Sequence, residues 1–202
     1  TDKNKANEIN NRIENIAENL LNDILKNDKS IEYIKDNDIA VPIVGISNHF
    51  GFKNFDGDFS NLSNNLSQYR NDSGMIAINS DFKKIYGSDK ILILNKNETL
   101  EHSRFTIAHE LGHYLFDFNE TKQYTYTDFY RTEETYKDDK EKRASRFAAS
   151  LLMPKKLFVE QYKKLKDLTY YEKVDKLSEK FVVSTTAINL RIEELKELGL
   201  LW

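Results

Sequence analysis

The sequence contains no cysteine. A disulfide framework and a thiolate metal site are therefore excluded, and any zinc ion would have to be held by histidine and carboxylate side chains. The lack of cysteine also fits a reducing compartment, so we predict that the protein works in the cytoplasm.

Long apolar runs and a large excess of one charge are missing as well. No stretch approaches the roughly 20 consecutive apolar residues that a membrane-spanning helix needs. The formal net charge is −3, which gives no general electrostatic reason to expect binding to nucleic acid or to a membrane surface. Neither is therefore favoured as a partner.

The composition supports a folded core. The chain has 202 residues, of which 39% are hydrophobic and 31% are charged, enough for one domain with an appendage or for two small domains. Apolar residues recur every three to four positions over residues 5–27, which predicts an amphipathic helix that covers the core. The short aliphatic runs Met75–Asn79 and Ile91–Asn95 predict strands of a small sheet.

The remaining elements are predicted from periodicity and helix stops. Helices are predicted for residues 138–153, 155–165, 170–181 and 185–198, and Pro154 stops the first of them. Residues 28–73 are rich in Asn, Asp, Ser and Gly, so a helix or turn followed by loops is predicted there. Residues 124–127 alternate Tyr and Thr, which fits a strand as well as a long loop.

The segment Arg104–Phe116 carries the pattern His-Glu-x-x-His at His109, Glu110 and His113. Histidines four apart on a helix lie about 40° apart around the axis, so both imidazoles can point at one ion. Glu110 can then reach a water on that ion. Neutral imidazole suits zinc and the intervening carboxylate suits a general base, so the pattern predicts a zinc hydrolase.

The alternative is an amphipathic core helix whose two histidines are only hydrogen-bonded. Half of the four histidines in the chain lie in this one motif, which argues against that alternative. The apolar flanking residues would also bury the helix, and a buried helix is where a water-excluding metal site belongs.

A catalytic zinc site needs a third protein ligand besides its water. His102 lies on the same helix but roughly 10 Å along the axis from His109, so we interpret it as a polar residue of the first turn. Glu141 is favoured because small residues continue its helical face and let its helix approach the histidine helix closely. These residues are Ala144, Ser145, Ala148 and Ala149. The alternative for the charged run 138–142 is a solvated helix start.

The two motifs, Arg104–His113 and Glu141–Pro154, together resemble the ImmA/IrrE family of zinc metallopeptidases. Leu177–Leu195 is similar to the small helical segment that follows the catalytic core in that family. The resemblance covers roughly the last half of the chain well, and residues 1–70 only weakly. One departure is Ser145, where the family often has Asn, and it concerns a hydrogen bond beside the site rather than the ligands.

The resemblance implies an α+β fold with a zincin-like catalytic domain, residues 1–153, that includes the N-terminal covering helix. Residues 154–202 would form a helical, helix-turn-helix-like segment. It implies Zn²⁺ held by His109, His113 and Glu141, with Glu110 as the catalytic base. It also implies a protein substrate, namely a helix-turn-helix repressor that silences genes of mobile elements or stress regulons until it is cut.

Two parts of the mechanism stay open at this point. The residue that stabilises the oxyanion could be Tyr114 or one of the tyrosines between the motifs, and none is preferred. The latter are Tyr124, Tyr126, Tyr130 and Tyr136. The substrate is expected to pair in extended form with an edge strand, either Met75–Asn79 or Ile91–Asn95.

A DNA-binding regulator with a structural metal site is the alternative function, because residues 170–198 have the length of a helix-turn-helix. Asn189, Arg191 and Lys196 could contact DNA. The acidic residues of the same helix would repel phosphate, so packing or repressor docking is favoured for this segment. They are Glu193, Glu194 and Glu197. An inactive metal-binding scaffold is disfavoured, since it need not keep Glu110.

Overall fold

The computed structural model describes residues 2–31, 39–58, 73–118 and 134–201. The described elements comprise eight helices and three strands, which confirms the predicted α+β class. In chain order they are α1 Asp2–Asn27, α2 Ile43–His49, β1 Phe52–Gly57, β2 Gly74–Ile78, α3 Phe82–Tyr86, β3 Lys90–Asn95, α4 Leu100–Asp117, α5 Glu134–Leu152, α6 Lys155–Lys164, α7 Tyr170–Phe181 and α8 Thr185–Glu197. Over those same ranges, none of the helices combines the length and apolar character that crossing a membrane requires.

The chain forms two compact units. One unit comprises Thr1–Pro42 together with Arg146–Trp202, and the other comprises Ile43–Ser145. We call the first the terminal unit and the second the central unit. This grouping differs from the predicted division after residue 153, because the N-terminal helix α1 belongs with the C-terminal helices.

The central unit contains a three-stranded sheet in the order β1–β3–β2. β1 runs parallel to β3, with Phe52 opposite Lys90, and β2 runs antiparallel to β3, with Ile76 opposite Leu92. Both predicted strands are present, but β1 lies in the stretch for which loops were predicted. The expectation that Ile91–Asn95 is an edge strand is wrong, since β3 pairs on both sides.

Helix α4 packs on this sheet and begins at Leu100, where the side chain of Thr99 accepts a hydrogen bond from the backbone N–H of His102. Its buried face includes Ile107, Ala108 and Leu111. The start of β2 lies very close to α4, because a Cβ atom on Gly74 would come within 2.6 Å of Thr106 Cγ2. Only glycine permits this approach, which places the edge strand β2 one helical turn from His109.

The terminal unit is helical, and its core includes the apolar stripe predicted for α1. The buried members of that stripe are Ile13, Ala17, Leu21 and Ile24. The predicted helices α6, α7 and α8 are present with bounds within one residue of those expected. Thr169 and Glu172 form a capping box at the start of α7, and Ser184 caps α8.

An ion pair lies inside the terminal unit. Arg191 is 0% exposed and Glu14 is 2% exposed. Both guanidinium Nη atoms donate to the Glu14 carboxylate, with Nη2 at 2.9 Å from Oε2, and Nε donates to the carbonyl oxygen of Met153 at 3.1 Å. Arg191 is therefore unable to contact DNA, and the expectation that it could is wrong.

Candidate metal centre

The helix α4 delivers both histidines of the motif to one place. His109 and His113 are one turn apart, and their Nε2 atoms lie 3.1 Å from each other. His113 is buried, whereas His109 is partly accessible to solvent. This arrangement follows from helix geometry alone, since residues four apart lie on one face.

The helix α5 brings Glu141 to the same point. Its Oε2 lies 3.1 Å from His109 Nε2, and its Oε1 lies 3.3 Å from His113 Nε2. The two helices approach closely at Gly112, where an added Cβ would be 3.0 Å from the Cα of Ala144. Glycine on one helix and alanine on the other thus permit the close approach that was predicted from the small residues of α5.

The three side chains form a group that can hold one metal ion, with their ligand atoms all within 4.8 Å of one another. Ligand atoms about 2.1 Å from a tetrahedral zinc ion would be about 3.4 Å apart. The closest separations among His109, His113 and Glu141 are 3.1 to 3.3 Å. Two imidazoles and one carboxylate are also a ligand set used by catalytic zinc sites. The residues present therefore fit a zinc ion.

Two further side chains form hydrogen bonds with the Nδ1 atoms of the histidines, on the side of each ring away from the ligand cluster. Asp117 Oδ2 lies 2.9 Å from His113 Nδ1, and Ser145 Oγ lies 3.2 Å from His109 Nδ1. Arg143 Nη2 donates to the other oxygen of Asp117 at 2.5 Å. Sequence reasoning assigned no such role to Asp117 or Arg143, and it noted Ser145 only as the residue at the family's Asn position. The signal for Asp117 was present, because it follows His113 by the same four residues that separate the two histidines.

The surroundings of the site raise the pKa of His113 and lower the pKa of Glu141. Burial alone would lower the pKa of His113, but hydrogen bonds to Asp117 and Glu141, with the charges of Glu110 and Glu141, raise it to about 9. Burial would raise the pKa of Glu141, yet its hydrogen bonds to both histidines hold it well below its usual range. The carboxylates around His113 therefore favour its protonated form, and a metal ion at this site would compete with that proton.

Glu110, the predicted base, is 4% exposed. It follows His109 directly on α4, and its negative charge contributes to the raised pKa of His113. The structure thus places a buried carboxylate within electrostatic range of the ligand cluster.

Other candidate residues lie away from the ligand cluster or outside the described ranges. His102 pairs with Glu98, at 2.7 Å between Nδ1 and Oε2, and is more than half exposed. The hydroxyl of Tyr114 accepts a hydrogen bond from Lys90 Nζ at 2.7 Å, so Tyr114 is held against the sheet. The alternating stretch 124–127 and Tyr130 lie outside the described residues, as does the side chain of Tyr136.

Comparisons with known proteins identify the family of the chain and a solved structure of similar fold. Residues 58–193 match the Peptidase_M78 family, described as the IrrE N-terminal-like domain. A solved structure described as a Mycobacterium tuberculosis transcriptional regulator is similar in fold, with a TM-score of 0.54 and 14% sequence identity. The match covers 90% of this chain but only 46% of that protein, and at this identity it shows the fold alone. No curated protein matches the sequence significantly.

Proposed function

Since the chain belongs to the Peptidase_M78 family of IrrE N-terminal-like domains, we propose that it is a zinc-dependent endopeptidase that cuts a helix-turn-helix transcriptional repressor. One observation carries the proposal. Three ligand atoms from His109, His113 and Glu141 converge within 4.8 Å, and a buried carboxylate, Glu110, directly follows the first of these residues.

His109, His113 and Glu141 would hold the zinc ion. When bound, zinc acidifies a coordinated water and polarises a peptide carbonyl. A catalytic zinc site uses three protein ligands of this kind and keeps a further position for water or substrate, so this ligand set would suit catalysis. The partial exposure of Glu141 and His109 gives water a route to this position.

Glu110 would carry the proton during the reaction. Its carboxylate accepts the proton of the attacking water and passes it to the nitrogen of the leaving amine. Glu110 is 4% exposed and directly follows the ligand His109 on α4, which supports this role. No oxyanion donor is proposed; the Tyr114 hydroxyl accepts a hydrogen bond from Lys90 Nζ on β3.

The substrate would lie along β2. Over the described ranges β2 pairs with β3 on one side only, so its other side offers backbone groups to an extended peptide. The contact between Gly74 and Thr106 sets this strand beside α4. A peptide added there would run close to the ligand cluster.

A repressor as substrate is what the family resemblance implies, and the cytoplasm is proposed as the compartment because the sequence lacks cysteine. The similar solved structure is described as a transcriptional regulator, which is compatible with a link to gene control. Direct DNA binding is disfavoured. Arg191 is buried against Glu14, and α8 retains Glu193 and Glu197 on its exposed surface, where they would repel phosphate.

The test compares Glu110→Gln with wild type and with Glu101→Gln, a matched change in the first turn of the same helix. Each zinc-loaded protein is incubated with the repressor encoded beside its gene, and fragments are identified by mass spectrometry. Glu110→Gln should keep one zinc per chain and slow cleavage by about 10²–10⁴-fold, because it loses the proton acceptor. Glu101→Gln should cleave like wild type.

Two results would count against the proposal. Cleavage by Glu110→Gln at the wild-type rate would remove Glu110 from the base role. Absence of fragments with the wild-type protein, despite bound zinc, would reject that repressor as the substrate.

A further inference from the structure

The ring nitrogens that face away from the ligand cluster are both engaged. We propose that Asp117 and Arg143 act together as one positioning pair for His113, and that Ser145 independently positions His109. Both imidazoles would then be aimed at the ion before it binds. The inference rests on the proposed metal centre; its main residues, Asp117 and Arg143, are assigned neither by the motif nor by the family resemblance.

Asp117 is suited to orient His113. It is four residues further along α4, and its side chain is 3% exposed, so little water competes for its oxygens. Its Oδ2 lies 2.9 Å from His113 Nδ1. With metal bound, Nδ1 would carry the ring proton and donate a hydrogen bond to Asp117. The lone pair of Nε2 is then left to bind the ion.

Arg143 fixes the carboxylate from its other side. Its Nη2 donates to Asp117 Oδ1 at 2.5 Å, and its guanidinium lies 5.4 Å from the centre of the Phe116 ring. With one oxygen on His113 and the other on Arg143, the carboxylate cannot rotate freely. Arg143 follows Glu141 by two residues on α5, so the pair also joins the two helices that supply the ligands.

Ser145 performs the equivalent task for His109 without contacting Asp117. Its Oγ lies 3.2 Å from His109 Nδ1, and it is one helical turn from Glu141 on α5. Serine thus supplies a hydrogen-bonding group at the position where the family often has Asn. Because its hydrogen bond is separate from that of the Asp117–Arg143 pair, its effect on metal binding should be independent.

The alternative is that Asp117 and Arg143 form an ion pair that only stabilises the fold. The two roles differ in their consequences. A purely stabilising pair would change the urea concentration of unfolding and leave the metal environment unchanged. A positioning pair changes the affinity for metal and the ligand field around it.

The experiment measures zinc affinity by competition with a chromophoric chelator, and the visible spectrum of the Co²⁺-substituted protein. The variants are Asp117→Asn, Arg143→Gln, Ser145→Ala and the doubles Asp117→Asn/Arg143→Gln and Asp117→Asn/Ser145→Ala. Asp139→Asn, an exposed aspartate on α5, is the matched control. Urea unfolding of each metal-free protein reports stability separately.

Asp117→Asn should weaken zinc binding by about 10–100-fold and shift the Co²⁺ absorption bands, as the loss of an orienting partner does. The double with Arg143→Gln should be no weaker than Asp117→Asn alone, because residues that act as a unit are not additive. The double with Ser145→Ala should show the product of the two single effects. Asp139→Asn should match wild type in both measurements.

Wild-type zinc affinity and an unshifted Co²⁺ spectrum in Asp117→Asn would overturn the inference, as would additive effects of Asp117→Asn and Arg143→Gln. If Asp117→Asn does not fold, Arg143→Gln decides, since it keeps the carboxylate and must still weaken zinc binding. If the wild-type protein binds neither zinc nor Co²⁺, the proposed metal centre itself fails. That result is distinct from a wild type that binds and an Asp117→Asn variant that binds equally well.

Discussion

Each compact unit contains a group of buried or partly buried charged side chains, and the two groups are balanced differently. In the terminal unit, Glu14 and Glu194 face Arg146 and Arg191, so two carboxylates meet two guanidinium groups. In the central unit, three carboxylates surround two imidazoles. They are Glu110, Asp117 and Glu141, and the cations at this cluster, Arg143 and Lys140, both pair with Asp117.

The two groups differ in whether their charges are balanced without a bound ion. The Glu14 carboxylate accepts hydrogen bonds from Ser150 and from Arg191, and Arg191 also donates to the Met153 carbonyl. The cluster at His113 instead holds a proton, with the pKa of that residue raised to about 9. A balanced group is a structural element, whereas a group with surplus negative charge is suited to bind a cation.

Breaking the balanced group should have the largest effect on stability. Arg191→Met should lower the free energy of unfolding by about 3–5 kcal/mol, because it leaves the Glu14 charge buried without its partner. Glu141→Gln should change the unfolding of the metal-free protein by about 1 kcal/mol or less, since its side chain is partly exposed. Urea denaturation measures both variants.

Zinc should bring the stabilities of the two variants closer together. Zinc at 100 times its dissociation constant should stabilise the wild-type protein by about 2.7 kcal/mol, and Glu141→Gln should lose this gain while Arg191→Met keeps it. Lys196→Met, an exposed position on the same helix as Arg191, should behave like wild type throughout. Equal destabilisation by Arg191→Met and Lys196→Met would show that burial of the ion pair contributes nothing.

A smaller effect is expected where α4 meets α5. Gly112→Ala places a Cβ atom 3.0 Å from the Cα of Ala144, and a backbone atom cannot move aside as a side chain can. Overpacking of this kind lowers stability by about 1–3 kcal/mol. The helices must also separate, which draws Glu141 away from the histidines and weakens zinc binding.

The control for this change is Ser103→Ala, an alanine placed earlier on α4. Isothermal titration with zinc should show weaker binding for Gly112→Ala and unchanged binding for Ser103→Ala. A Gly112→Ala protein that binds zinc as tightly as wild type would mean that the close approach is not needed to bring Glu141 to the site.

The smallest expected effect is a loss of folding stability at acidic pH. Burial would raise the pKa of Glu14, but its hydrogen bond and attraction to Arg191 lower it below the usual value near 4.5. The stabilisation from this group is therefore present above pH 4.5 and is lost as the pH falls through the lower, folded-state pKa. The loss cannot exceed about 1.4 kcal/mol per pH unit for one group.

Glu14→Gln should remove that part of the pH dependence. Unfolding free energies measured between pH 5 and pH 3 should fall less steeply in the variant than in wild type. Parallel curves for the two proteins would mean that Glu14 has the same pKa in the folded and unfolded chains.

The sequence was most informative about features formed by residues that are close together along the chain. His109 and His113 meet because helical spacing alone dictates it, and the small residues after Glu141 correctly indicated a close helix contact. Asp117 could have been found by the same spacing. The Glu14–Arg191 pair joins residues 177 positions apart, and no periodicity reports such a contact.

The sheet shows the same limit. The aliphatic runs of β2 and β3 were evident, but β1 mixes Lys53, Asn54 and Asp56 with its aromatic residues and carries no aliphatic pattern. Without β1, the position of β3 in the middle of the sheet could not be known. Whether a strand lies at an edge depends on its neighbours rather than on its own composition.

Four of the groups that define the metal centre lie on two consecutive turns of α4: His109, Glu110, His113 and Asp117. Glu141, Arg143 and Ser145 come from α5. Helix α4 alone would supply only two histidine ligands, which would bind an ion weakly. The third ligand is added when α4 and α5 pack together. Under the proposed function, tight zinc binding would therefore require that α4 and α5 have packed together.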